Sequence, residues 1–168
     1  AYWYEYVNDS TWVEHLMSVN NDVERALGSA VIDINRDGNL DVVIKNVIFL
    51  NPGNLNEDKG ALWPMETYDG GGHDIIAANI DTVGGEELVT YHGEDVLLFD
   101  PDNSMKKYVV GRGESNHGGL TPSGIGDLNG DKLPDMVIPG YWFENPGMLS
   151  SDWKRHEWPH EPIEHATY

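Results

Sequence analysis

The sequence predicts an all-β fold, and three observations carry that expectation. Turn formers are dense: the 168 residues include 19 glycines and nine prolines, with many Asn and Asp among them. Apolar residues come in short runs, such as Val42-Val43-Ile44 and Met136-Val137-Ile138, which suit strands better than helices. Long helical periodicity is missing. The best helix candidate, residues 11–27, has no sustained apolar stripe and contains the turn Asn20-Asn21-Asp22, so it reads as strand, loop, strand. No break in composition divides the chain, and one domain is expected.

From the N-terminus, Trp3-Tyr4-Glu5-Tyr6 and Trp12-Val13-Glu14-His15 read as two aromatic strands. An acidic loop, Asp33 to Asp41, then opens directly into Val42-Val43-Ile44, and Phe49-Leu50-Asn51-Pro52-Gly53 closes the next strand. A degenerate copy of the loop starts at Asn79, with Asp81 and Glu87 at the third and ninth positions. A full copy returns from Asp127 to Asp135, followed by Phe143-Glu144-Asn145-Pro146-Gly147. Loop and NPG turn both recur after 94 residues, and the middle copy divides that interval into 46 and 48.

A repeat of about 47 residues with room for four strands is the size of a β-propeller blade. The reading is about 3.5 blades of four antiparallel strands: a half-blade at 1–27 and blades at about 28–70, 71–116 and 117–168. The aromatic pair at the N-terminus matches Trp142-Phe143-Glu144-Asn145 and Trp153-Lys154-Arg155-His156, so the chain opens in mid-repeat; Glu164 to Tyr168 resembles the strand that leads into a loop. With no Met at position 1, a processed or excised chain is expected. Either the chain is a piece of a longer propeller, or copies associate, as a homodimer that completes a seven-bladed ring or as another homo-oligomer.

The loops carry the metal chemistry. Calcium takes six to eight oxygen ligands, and alternating acidic positions aim several at one point. Asp33, Asn35, Asp37 and Asp41 supply side-chain oxygens, the Asn39 carbonyl adds one, and Gly38 permits the turn. The second loop offers Asp127, Asn129, Asp131, Asp135 and the Leu133 carbonyl, with Lys132 at the turn position, where backbone strain is expected. Two Ca2+ sites follow. Position 12 is Ile44 or Ile138, not the bidentate Glu of an EF-hand, and neither EF-hand nor dockerin fits. The middle copy has Val83 and Gly84-Gly85 among its ligand positions and is expected to bind calcium weakly or not at all.

DxNxDGxxD followed by an apolar strand, then WFENPG and a Trp with a nearby His, resembles the FG-GAP or VCBS repeat family over nearly the whole chain. The resemblance implies propeller blades with calcium between the first two strands, on the two loops named above. The WFENPG blades are similar to those of aldos-2-ulose dehydratase-like and secreted proteins. Activities across such folds differ, so fold does not select among them.

Composition narrows the partners. Ten Lys and Arg stand against 29 Asp and Glu, a formal charge of −19, which repels nucleic acid and anionic bilayers. No apolar run is long enough to span a membrane. No cysteine is present, so disulfides, thiolate metal sites and cysteine nucleophiles are excluded. His73, His117 and His165 precede acidic-loop strands or their equivalents and could converge on a channel metal or a sugar, although their registers differ. Trp3, Trp12, Trp142 and Trp153 recur and read as packing between blades, leaving Trp63 and Trp158 freer for sugar stacking. The expectation is an extracellular or cell-surface, non-catalytic, calcium-binding module that contacts a glycan or another protein for adhesion or surface assembly. The alternative is a carbon–oxygen lyase or dehydratase acting on sugars, with a histidine-bound metal.

Overall fold

A computed structural model of the chain describes residues 1–19, 23, 26, 28–113 and 124–158. Among these residues the fold is all-β and built from antiparallel sheets. Strands β1 (Tyr2–Asn8) and β2 (Thr11–Leu16) form a hairpin. The first four-stranded sheet runs β3 (Ser29–Ile32), β4 (Asp41–Ile44), β5 (Val47–Phe49) and β6 (Met65–Thr67). The second runs β7 (Asp74–Ala78), β8 (Glu87–His92), β9 (Asp95–Asp100) and, after a 3-10 turn at Pro101–Asn103, β10 (Lys106–Arg112). The third runs β11 (Ile125–Gly126), β12 (Asp135–Ile138), β13 (Tyr141–Glu144) and β14 (Lys154–Glu157). Each sheet is a meander in which sequence neighbours pair, and each acidic loop joins its first strand to its second. No closed ring of sheets forms among the described residues.

Short apolar runs become strands because tight turns force reversal at both ends. Between β12 and β13 the turn is Pro139-Gly140, where Pro fixes its own φ and Gly140 takes φ +85 without a Cβ penalty. The sheets are apolar on both faces. Ala30, Ile32, Val43 and Ile48 of the first sheet meet Ile75, Leu88, Leu97 and Phe99 of the second. The opposite face of the second, with Val89, Val96 and Leu98, meets Met136, Ile138, Tyr141 and Phe143 of the third. The hairpin contributes Trp3 to the smaller cluster around Phe49 and Val47. Each large side chain so buried contributes roughly 1.5–3 kcal/mol, which makes these three interfaces the main source of stability.

Register is shared among the sheets. Phe49 lies opposite Val42, Phe99 opposite Leu88, and Phe143 opposite Met136, so one Phe occupies the same place in every third strand and faces the preceding sheet. Phe99 meets the ring of Tyr68 edge-on at 5.0 Å. Phe143 lies over Gly111, where an added Cβ would fall 2.1 Å from Cε1. The hairpin follows the rule of third and fourth strands. Trp3 lies opposite His15 and stacks on it at 4.2 Å, as Trp142 stacks on His156 at 4.0 Å. His15 bonds Glu5 through Nε2 at 3.1 Å, and His156 bonds Glu144 at 2.7 Å.

The tryptophans divide differently from the expectation. Trp153 is buried between sheets, but Trp12, at the matching place on the hairpin, is exposed because no sheet precedes it among the described residues. Trp63 is buried beside Met17 and Phe49 and offers no free face, whereas Trp158 is exposed.

Candidate functional site

The three acidic loops share one backbone. Their fourth residues are left-handed, with φ of 61 at Arg36, 63 at Thr82 and 85 at Gly130; so are their sixth, at Gly38 (90), Gly84 (69) and Lys132 (75). Lys132 therefore adopts the strained conformation that its place in the motif implies. In the first loop both carboxylate oxygens of Asp33 accept backbone N–H bonds, from Asp37 and Gly38, each at 3.0 Å. Asp37 accepts from the Asn39 N–H at 2.8 Å and the Asn35 amide at 2.9 Å, and these bonds hold its carboxyl below the usual range. The second loop repeats this: Asp127 accepts from Gly130, Asp131 and Lys132, and Asp131 from the Leu133 N–H and the Asn129 amide.

The ninth positions have an added structural role. Asp41 and Asp135 are fully buried. Asp41 accepts from the N–H groups of Ile34 at 3.0 Å and Asn51 at 2.7 Å; Asp135 accepts from Leu128 at 2.9 Å and Asn145 at 2.8 Å. Each thereby ties its loop to the NPG turn beyond the third strand, which explains why loop and turn recur together. Burial pushes the Asp41 carboxyl up, against the pull of these bonds. Asn145 adds a link across sheets, donating to the Ile80 carbonyl at 2.8 Å.

The middle copy also breaks the link between loop and turn. Pro101 stands where Asn51 and Asn145 stand and has no N–H to donate to the ninth-position acid. Glu87 keeps the bond from Ile80 N–H, at 2.6 Å, and comes together with Asp100 and Asp102, their oxygens lying within 4.8 Å of one another. That is a spacing a divalent cation can span, and it is the one such group of three acids among the described residues; neither full acidic loop forms one. Burial, reinforced by the charges of Asp81 and Asp100, pushes Glu87 up to about 7. Arg36 reaches over from the first loop, bonding Asp102 through Nε at 2.7 Å and Nη2 at 3.0 Å, the Asp33 carbonyl and the Glu86 carbonyl. It keeps Asp102 ionised by direct pairing. A groove of about 320 Å3 beside this cluster is lined by Asp81, Asp100, Tyr108 and Met148.

Of the three candidate channel histidines only His73 lies among the described residues. His73 is exposed, and its carbonyl accepts from Gly28 N–H at 3.1 Å; His117 and His165 lie outside the described residues. Sequence reasoning missed Arg36 and the Glu87–Asp100–Asp102 cluster. Its available signal was Asp100-Pro101-Asp102, where the other repeats have residues 50–52 and 144–146. Comparison with family models, curated proteins and solved structures found no match to this chain.

Proposed function

We propose that the chain is a calcium-binding, propeller-type module of the FG-GAP/VCBS kind, with its sheets as blades, acting outside the cell in glycan binding, adhesion or surface assembly without catalysing a reaction. The observation that carries the metal assignment is the matched pair of loops: two segments 94 residues apart fold to the same left-handed turns and present only oxygen donors. The donor set fits calcium. Asp33, Asn35, Asp37 and Asp41 with the Asn39 carbonyl would hold one ion, and Asp127, Asn129, Asp131 and Asp135 with the Leu133 carbonyl the other. Both Asp33 oxygens and Asp127 Oδ2 accept one backbone N–H each and retain a second lone pair for a cation, whereas Asp127 Oδ1 accepts two. The ion would neutralise carboxylates packed into a short turn and staple the loop.

The glycan reading rests on the groove beside Tyr108, where an aromatic ring stands next to carboxylates that can accept sugar hydroxyl bonds. No described arrangement favours the lyase alternative, since of its three histidines only His73 is described. Calorimetric titration with Ca2+ should return two sites per chain. Absence of binding heat, together with a melting temperature unmoved by chelator, would remove the metal assignment. A glycan array with the wild type and Tyr108→Ala then tests the groove; signal equal in both would remove it.

A further inference from the structure

The first and last faces of the row of sheets match as halves of the interface that joins the sheets within the chain, and we propose that they dock between two copies, head to tail. The inference rests on register and is independent of the calcium and glycan assignments.

The hairpin face opposite Trp3 is the head. In the third sheet, Tyr141, Phe143 and Trp153 face the second sheet and are 9%, 1% and 9% exposed. Their counterparts by register on the hairpin are Tyr2, Tyr4 and Trp12, which are 55%, 56% and 62% exposed. Three aromatic side chains that are core in one sheet are thus open in the other, a concentration of apolar surface that marks an interaction site. The chain spends this face on nothing among its described residues.

The third sheet supplies the tail. Its face away from the second sheet carries Val137 and Trp142, in the places of Val43 and Ile48 in the first sheet and Val89 and Leu98 in the second. Those four are buried by the sheet that follows, whereas Val137 and Trp142 remain partly exposed. The match extends to one aromatic contact. The Tyr68 N–H donates to the Asn46 carbonyl and its ring meets Phe99 of the next sheet; the Trp158 N–H donates likewise to the Gly140 carbonyl. Trp158 is 42% exposed, and Tyr4 occupies the place of Phe99. A second copy would bring Trp158 against Tyr4 in continuation of the existing interfaces. Such a contact is heterologous, so it forms a ring where the rotation closes and a chain of copies where it does not.

Sedimentation velocity of the 168-residue chain from micromolar to submillimolar concentration tests this. Self-association is expected, stronger at higher salt because each copy carries a charge of −19. A head variant, Tyr4→Ser with Trp12→Ser, and a tail variant, Trp158→Ser, should each weaken it by about tenfold or more, as loss of a buried aromatic anchor does. Mixing the two should restore a one-to-one complex that grows no further, because one intact head meets one intact tail. A chain monomeric throughout, association unchanged in both variants, or a mixture that stays monomeric would each overturn the proposal. Association unchanged in both variants would point instead to pairing along the open edge of β1. Circular dichroism checks that each variant folds; should Trp158→Ser unfold, Val137→Ser replaces it as the tail variant.

Discussion

Glu87 is the residue whose surroundings ask most of it. It is buried, it faces Asp81, Asp100 and Asp102, and Arg36, a cation that feels its charge, is committed to Asp102. Its carboxyl rises from the ordinary 4.5 to about 7. The folded state therefore holds the proton more tightly than the unfolded chain, so this contribution to stability is complete below about pH 4.5 and is lost as pH rises through about 7. Glu87→Gln keeps an oxygen for the Ile80 N–H and removes the charge. It should raise stability by about 1–3 kcal/mol at pH 8 and change it little at pH 4.5, as read by denaturant melts at the two pH values. A gain of equal size at both would show that packing, not ionisation, is responsible. The signal for this residue was faint in the sequence. Glu87 reads as the ninth position of a decayed loop, and only Pro101, lacking the N–H that Asn51 and Asn145 donate, betrays that its environment has changed.

At the scale of the element, the ninth acid of each full loop carries a structural task, beside its place in the ligand set, that the sequence pattern does not show. The periodic acids were legible as one ligand set because they alternate; burial, which depends on the sheets folding around them, divides them. Asp41 and Asp135 are interior staples, while Asp37 and Asp131 are at the surface. Asp135→Ala strips an acceptor from the N–H groups of Leu128 and Asn145 and should cost about 2–5 kcal/mol even in chelator. Asp37→Ala should leave the chelated protein nearly unchanged and abolish one calcium site by calorimetry. The two variants behaving alike in chelator would contradict the division. Strand content and loop positions were legible from turn residues and short apolar runs, but sheet-on-sheet contact was not. Gly111 drew no reading from the sequence, yet it is where the ring of Phe143 lies on the neighbouring backbone. Gly111→Ala places a methyl on that ring and should destabilise the protein by about 1–3 kcal/mol, and Gly111→Ala with Phe143→Leu should recover part of the loss. A Gly111→Ala variant as stable as the wild type would mean that the two sheets can part at little cost.

For the whole molecule, the dominant quantity is a charge of −19 on a fold whose cores lie between thin sheets. Such self-repulsion works against the compact state. Two bound Ca2+ would offset four of these charges, and ions held only by the folded chain stabilise it by mass action, about 2.7 kcal/mol per site at a hundredfold excess over Kd. Removing calcium should lower Tm by about 10 °C for a chain of this size. Charge alone could produce a fall of the same sign, so the cation must be varied. Magnesium carries the same charge but requires near-octahedral geometry and gives up its water reluctantly, whereas calcium accepts the many, irregular oxygens of a loop. Thermal scans of the chelated protein with equal free Mg2+ or Ca2+ at physiological salt should show recovery by calcium and only a small shift with magnesium. Equal recovery by both would mean that the loops feel a field of positive charge and do not coordinate an ion. Asp33 to Asp41 and Asp127 to Asp135 would then be turns held by their own hydrogen bonds, which the structure shows they already make.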